Sequence, residues 1–66
     1  MRKLGRFTTL KPVRNKVGVY IPKGALVEVV RDMQTGAHIA IQDGYHHPIW
    51  ARDVQLYMTP EIKVVG

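Results

Sequence analysis

Cysteine is absent from this chain of 66 residues, and so is serine. Without thiols there is no disulfide, no thiolate metal ligand and no sulfur nucleophile. Paired carboxylates and a glycine-rich phosphate loop are also missing. Thr8, Thr9 and Tyr57 have no visible base beside them, so the chain is expected not to be an enzyme and to carry no cofactor. No apolar run approaches the ~20 residues that span a bilayer. The basic N-terminus does not continue into the apolar stretch of a signal peptide, because Gly5, Arg6, Thr8 and Thr9 interrupt Leu4 to Leu10. The expected setting is the cytoplasm, with no membrane partner.

A further absence is more informative. No acidic residue precedes Glu28, whereas seven of the ten basic residues do: Arg2, Lys3, Arg6, Lys11, Arg14, Lys16 and Lys23. The first 27 residues carry +7 and the remaining 39 carry −2, which gives the net charge of +5. A one-sided cationic distribution is the footprint of a protein that meets a polyanion, most often nucleic acid. The competing reading is a solvated basic tail.

What is present points to one small β domain. Apolar residues make up 45% of the chain, enough for a core, although a core of this size supplies only ~3–5 kcal/mol of net stability. Pro12, Pro22, Pro48 and Pro60 cut the sequence, and no helical stripe of useful length survives between them. Short β-rich runs are expected at Val17–Ile21, Ala25–Arg31, Ala37–Gln42, Tyr45–Trp50 and Gln55–Tyr57. Pro22-Lys-Gly24, Met33-Gln-Thr-Gly36 and Asp43-Gly44 read as the turns between them, the last being the strongest hairpin signal. Ala51-Arg-Asp-Val54 suits a single 3₁₀ turn. The first ten residues are either a frayed arm or an edge strand over Phe7 to Leu10. The organisation expected is a basic arm and first loop over 1–16, a barrel core over 17–58 and a tail over 59–66, at most partly ordered through Ile62 and Val64.

This order of strands, hairpins and one 3₁₀ turn resembles the SH3-like barrel. The likeness spans Gly18 to Met58 and rests on Pro22–Val30, on Ala37–Gln42 and on Pro48–Val54. It implies an all-β, five-stranded barrel, but many unrelated functions share that architecture. Departures exclude the family's binding of proline-rich peptides. The tryptophan expected at the start of the third strand is Ala37 or His38, and the proline and tyrosine near the 3₁₀ turn are Trp50 and Asp53. The acidic first loop is replaced by a short basic one, Lys11 to Lys16. A basic strand surface with a late tryptophan is also similar to the DNA-binding barrels at the ends of integrases.

The core expected from alternation comprises Val17, Val19, Ile21, Val27, Val29, Ile39, Ile41, Ile49, Val54 and Leu56. If Ile49 faces inward, Trp50 faces outward, where it stacks on an unpaired base, anchors a protein contact or packs under the N-terminal arm. Tyr20 and Tyr45 are further aromatic candidates, interleaved with Arg14, Lys16 and Arg52. His46 and His47 are adjacent and so point to opposite faces of a strand, which excludes a shared metal and leaves His38 and Asp43 too distant in pattern to complete a site. A pH response near neutrality is the more natural role for histidine.

Two functions follow. The first is a small nucleic-acid-binding accessory module, DNA or RNA, using Arg2, Lys3, Arg6, Lys11, Arg14, Lys16, Lys23, Trp50 and Arg52, with contacts from Tyr20 and Tyr45. The second is a protein-interaction adaptor that docks through a sheet edge and Trp50. Either is expected as a monomer or a weak homo-oligomer.

Overall fold

A computed structural model describes residues 1–61 of the chain. Its first residues are strand and not a frayed arm, and Phe7–Thr9, expected at an edge, has partners on both sides. Strand β1 (Arg2–Thr9) runs through the middle of the sheet, between the later strands β4 (Leu26–Arg31) and β7 (Met58–Pro60). Between β1 and β4 come β2 (Val13–Arg14) and β3 (Tyr20–Ile21), and between β4 and β7 come β5 (His38–Gln42), β6 (Tyr45–Ile49) and one helix, α1 (Ala51–Tyr57). The main sheet has the order β6-β5-β4-β1-β7 and every pairing in it is antiparallel. A β-bulge between Lys3 and Gly5 shifts the β1–β4 register. β2 and β3 form a separate two-stranded ribbon.

The molecule is therefore mostly β, as expected, but among the described residues the hydrogen-bonded ladder stays open at β6 and β7 and does not close into a barrel. The expected 3₁₀ turn at Ala51–Val54 is instead the start of a seven-residue α-helix, which also absorbs the strand expected at Gln55–Tyr57. Asp53 and Val54, with Tyr57 one turn later, face the interior, a helical spacing that outweighs the period-two reading of this segment. Leu56 consequently lies outside the core, 60% exposed. The partial order expected at Ile62 and Val64 lies outside the described residues.

Turn chemistry explains why β4, β5 and β6 are neighbours in the sheet. Asp43 and Gly44 both have positive φ, 48° and 81°, as a two-residue type I′ hairpin requires, and they join β5 to β6. Asp32 Oδ1 accepts from the Gln34 and Thr35 amides at 2.8 and 3.4 Å, which closes the connection from β4 to β5.

Val13, Ile21, Val27, Val29, Ala40, Ile49 and Met58 form the core, with Phe7, Ala25, Val54 and Tyr57 packed against it. The ribbon and α1 thus cover one face of the sheet. Two expectations about this core fail. Val17 is 68% exposed and Val19 is also exposed, because residues 16–18 form a turn and only Tyr20–Ile21 is strand. On β5 it is Ala40 that faces inward, in register with Val29, while Ile39 and Ile41 are half-buried on the opposite face. Ile39 stands there between buried Val30 and Pro48. Apolar residues on both faces of β4 and β5 leave the alternation without a preferred side.

Candidate nucleic-acid interface

The site grows from the two-residue ribbon. Val13 and Ile21 are paired and buried, so their neighbours Arg14 and Tyr20, also paired, project together from the outer face. Lys11 and Pro12 lead into this ribbon. At the far side Ile49 ends β6 in the core, which turns Trp50 outward at 41% exposure. The backbone of Trp50 is fixed by α1: its amide donates to Asp53 Oδ2 at 3.3 Å, and the Asp53 amide donates to its carbonyl at 3.0 Å. Asp53, expected as a turn or surface residue, is buried and holds this corner.

Between these elements lies an open groove of about 370 Å³. Three cations line it, Lys11, Arg14 and Arg52, together with three aromatic rings, Tyr20, Trp50 and Tyr57. The rings also meet cations directly. Lys11 Nζ lies 4.1 Å from the Tyr57 ring centroid, while Arg52 Cζ and Lys16 Nζ lie 5.6 and 5.9 Å from that of Trp50. Such contacts contribute about 0.5–1 kcal/mol each when exposed, enough to bias the side chains without locking them. Among the described residues the one ion pair is Arg6 Nε to Glu61 Oε2 at 3.2 Å, so Lys11, Arg14, Lys16 and Arg52 face no carboxylate partner.

A second hollow, about 360 Å³ and shallower, adjoins the first, and Tyr20 lines both. Val19, Gln42, Asp43, Tyr45 and His47 complete its lining. The Tyr45 and His47 rings sit 4.4 Å apart, tilted by 51°. His47 is buried and fully engaged. Asn15 Oδ1 accepts from the Val17 and Val19 amides at 3.0 and 2.9 Å, which leaves its Nδ2 to donate to His47 Nδ1 at 2.8 Å. Nδ1 is then an unprotonated acceptor and Nε2 carries the hydrogen, donated to Gln42 Oε1 at 3.2 Å. Burial lowers the His47 pKa below its ordinary 6.5, in keeping with a neutral ring.

Of the expected site residues, the structure gathers Lys11, Arg14, Tyr20, Trp50 and Arg52 around one groove, with Lys16 beside Trp50 and Tyr45 in the adjoining hollow. Arg2, Lys3, Arg6 and Lys23 line neither. Arg2 is paired with Arg31 across the sheet, Arg6 is paired with Glu28 and bridged to Glu61, and Lys23 sits in the turn after β3. Tyr57 lines the groove, and Asn15 and His47 form the network beneath the adjoining hollow, placements not expected from the sequence. The Asn-Lys-Val-Gly18 pattern carried an Asx-turn signal that would have found Asn15. Among the described residues no helix is long and apolar enough to cross a membrane, and no three His, Asp or Glu side chains converge as a metal site. The chain matches no family model, no curated protein and no solved structure.

Proposed function

We propose that this chain is a small nucleic-acid-binding module acting in the cytoplasm. The observation that carries the reading is the convergence of Lys11, Arg14 and Arg52 with Tyr20, Trp50 and Tyr57 on one groove, with Lys16 beside Trp50. Cations without carboxylate partners are free to meet phosphates, and each contact releases counterions. The aromatic rings between them offer flat apolar surface to bases or sugars. The one acid in the groove, Asp53, is buried and engaged with the Trp50 amide, which reduces its opposition to an incoming phosphate.

The adaptor reading has weaker support. The Pro48 carbonyl on the edge strand β6 is already taken by the Lys16 amide at 2.8 Å, and the other edge, β7, is three residues long. Each outermost strand is thus short or partly engaged where an added strand would pair.

The test is fluorescence anisotropy with short labelled DNA and RNA at 50 and 200 mM salt. Four phosphate contacts weaken binding roughly 50- to 150-fold across that range. Trp50→Ala lowers affinity for either nucleic acid. No binding to any DNA or RNA at 50 mM salt, or binding that ignores salt, overturns the proposal. A protein partner captured by the native chain and lost on Trp50→Ala, but kept when Arg14 and Arg52 are neutralised, would favour the adaptor.

A further inference from the structure

We infer that the nucleic acid bound is single-stranded, and that its strand crosses Tyr20 with phosphates on the Lys11–Arg14–Arg52 side and a base on the Tyr45 side. This rests on the nucleic-acid reading above and narrows it.

The two hollows share Tyr20, which is 60% exposed, so a chain lying in one passes over that ring into the other. Their chemistry differs. The first is lined by three cations, whereas no cation lines the second, where Asp43 contributes a carboxylate and Gln42 an amide. His47 adds no positive charge there, since its Nδ1 accepts from Asn15. Phosphates are therefore drawn to the first hollow and kept out of the second. A base edge, with its own donors and acceptors, suits the second.

Tyr45 is 52% exposed and already positioned, because its ring leans on His47, which Asn15 and Gln42 hold from both ring nitrogens. An exposed, pre-positioned ring beside a polar hollow has nothing to stack on in a duplex, where base faces are covered by their neighbours. An unpaired base offers that face to any aromatic platform, whatever its sequence.

The experiment compares a labelled mixed-sequence single strand, as DNA and as RNA, with a DNA duplex of the same length, using the native chain, Tyr45→Ala and Tyr45→Phe. The single strand should bind at least about tenfold more tightly than the duplex. Tyr45→Ala should weaken single-strand binding about 5- to 160-fold, the span of one lost stacking contact. Its salt dependence should stay unchanged, because no phosphate contact is lost, and Tyr45→Phe should restore affinity. Equal affinity for duplex and single strand overturns the inference, as does full single-strand affinity in Tyr45→Ala. In either case salt-dependent binding would leave the broader nucleic-acid reading standing. Binding to none of the probes would remove both.

Discussion

Arg2, Lys3 and Arg6 on β1 and Lys11, Arg14 and Lys16 on the segment that follows are equal in number and sign, yet the fold treats them differently. β1 is laddered to β4 along its length and to β7 over Phe7–Thr9, and the Arg6 charge is spent locally, meeting Glu61 and standing opposite Glu28. The second segment has only a two-residue ladder. It is held by one buried side chain, Asn15, and its cations meet aromatic rings and an open groove. Proximity along the chain thus says little about which charges act together. What counts is which side chains the fold brings beside them: Tyr20, Trp50 and Tyr57 for one group, Glu28 and Glu61 for Arg6 of the other.

That contrast is most sharply broken at Asn15. Asn15→Ala removes the acceptor for two amides and the partner of His47 Nδ1 together. The expected loss is about 2–4 kcal/mol, since each buried polar group left unpaired costs about 1–3 kcal/mol. Urea denaturation followed by tryptophan fluorescence measures it, and an unchanged midpoint would mean that water replaces the amide without cost. The second largest effect concerns binding. Lys11→Ala combined with Arg14→Ala should lower affinity at least about tenfold and flatten the salt slope by about 1.4–1.8. Arg2→Ala combined with Lys3→Ala should change affinity by less than about threefold. If the β1 pair mattered more, the groove would not be the interface.

A milder effect is expected from pH. The His47 pKa is lowered by burial, so the folded state resists a proton that the unfolded chain accepts below about 6.5. Its contribution to stability is complete above that value and declines as pH falls towards the lowered pKa. The same denaturation midpoints, compared between pH 7.5 and pH 5, should drop on the acid side and stay level above neutrality. A midpoint that holds at pH 5 would contradict the neutral-ring assignment. Smallest is the Arg6–Glu61 pair, whose side chains are 51% and 32% exposed; a double-mutant cycle should return about 0–1 kcal/mol.

Local chemistry was legible where a few residues decide the outcome. The Asp43-Gly44 hairpin and the strand through Val27 and Val29 follow from turn residues and alternation alone. So does the outward turn of Trp50 once Ile49 is buried. Where distant partners decide, the sequence misleads. Val17–Ile21 has a strand's alternation, but Asn15 folds its first half into a turn, and the histidine that completes the network lies 32 positions away. Tyr57 reads as strand until Asp53 and Trp50 start a helix in front of it. Lys11, Arg14, Tyr20, Trp50 and Arg52 are all apparent as candidates; that they share one groove is a property of the ribbon and helix packing.

The pairing of β1 with β7 also bears on how the protein is made. Phe7–Thr9 finds its neighbour on one side only when Met58–Pro60 has left the ribosome, so that side of β1 stays unpaired while the intervening strands and helix are made. Arg2, Lys3, Arg6 and the bulge at Lys3–Gly5 come just before that waiting edge, and such features discourage premature pairing with other nascent chains.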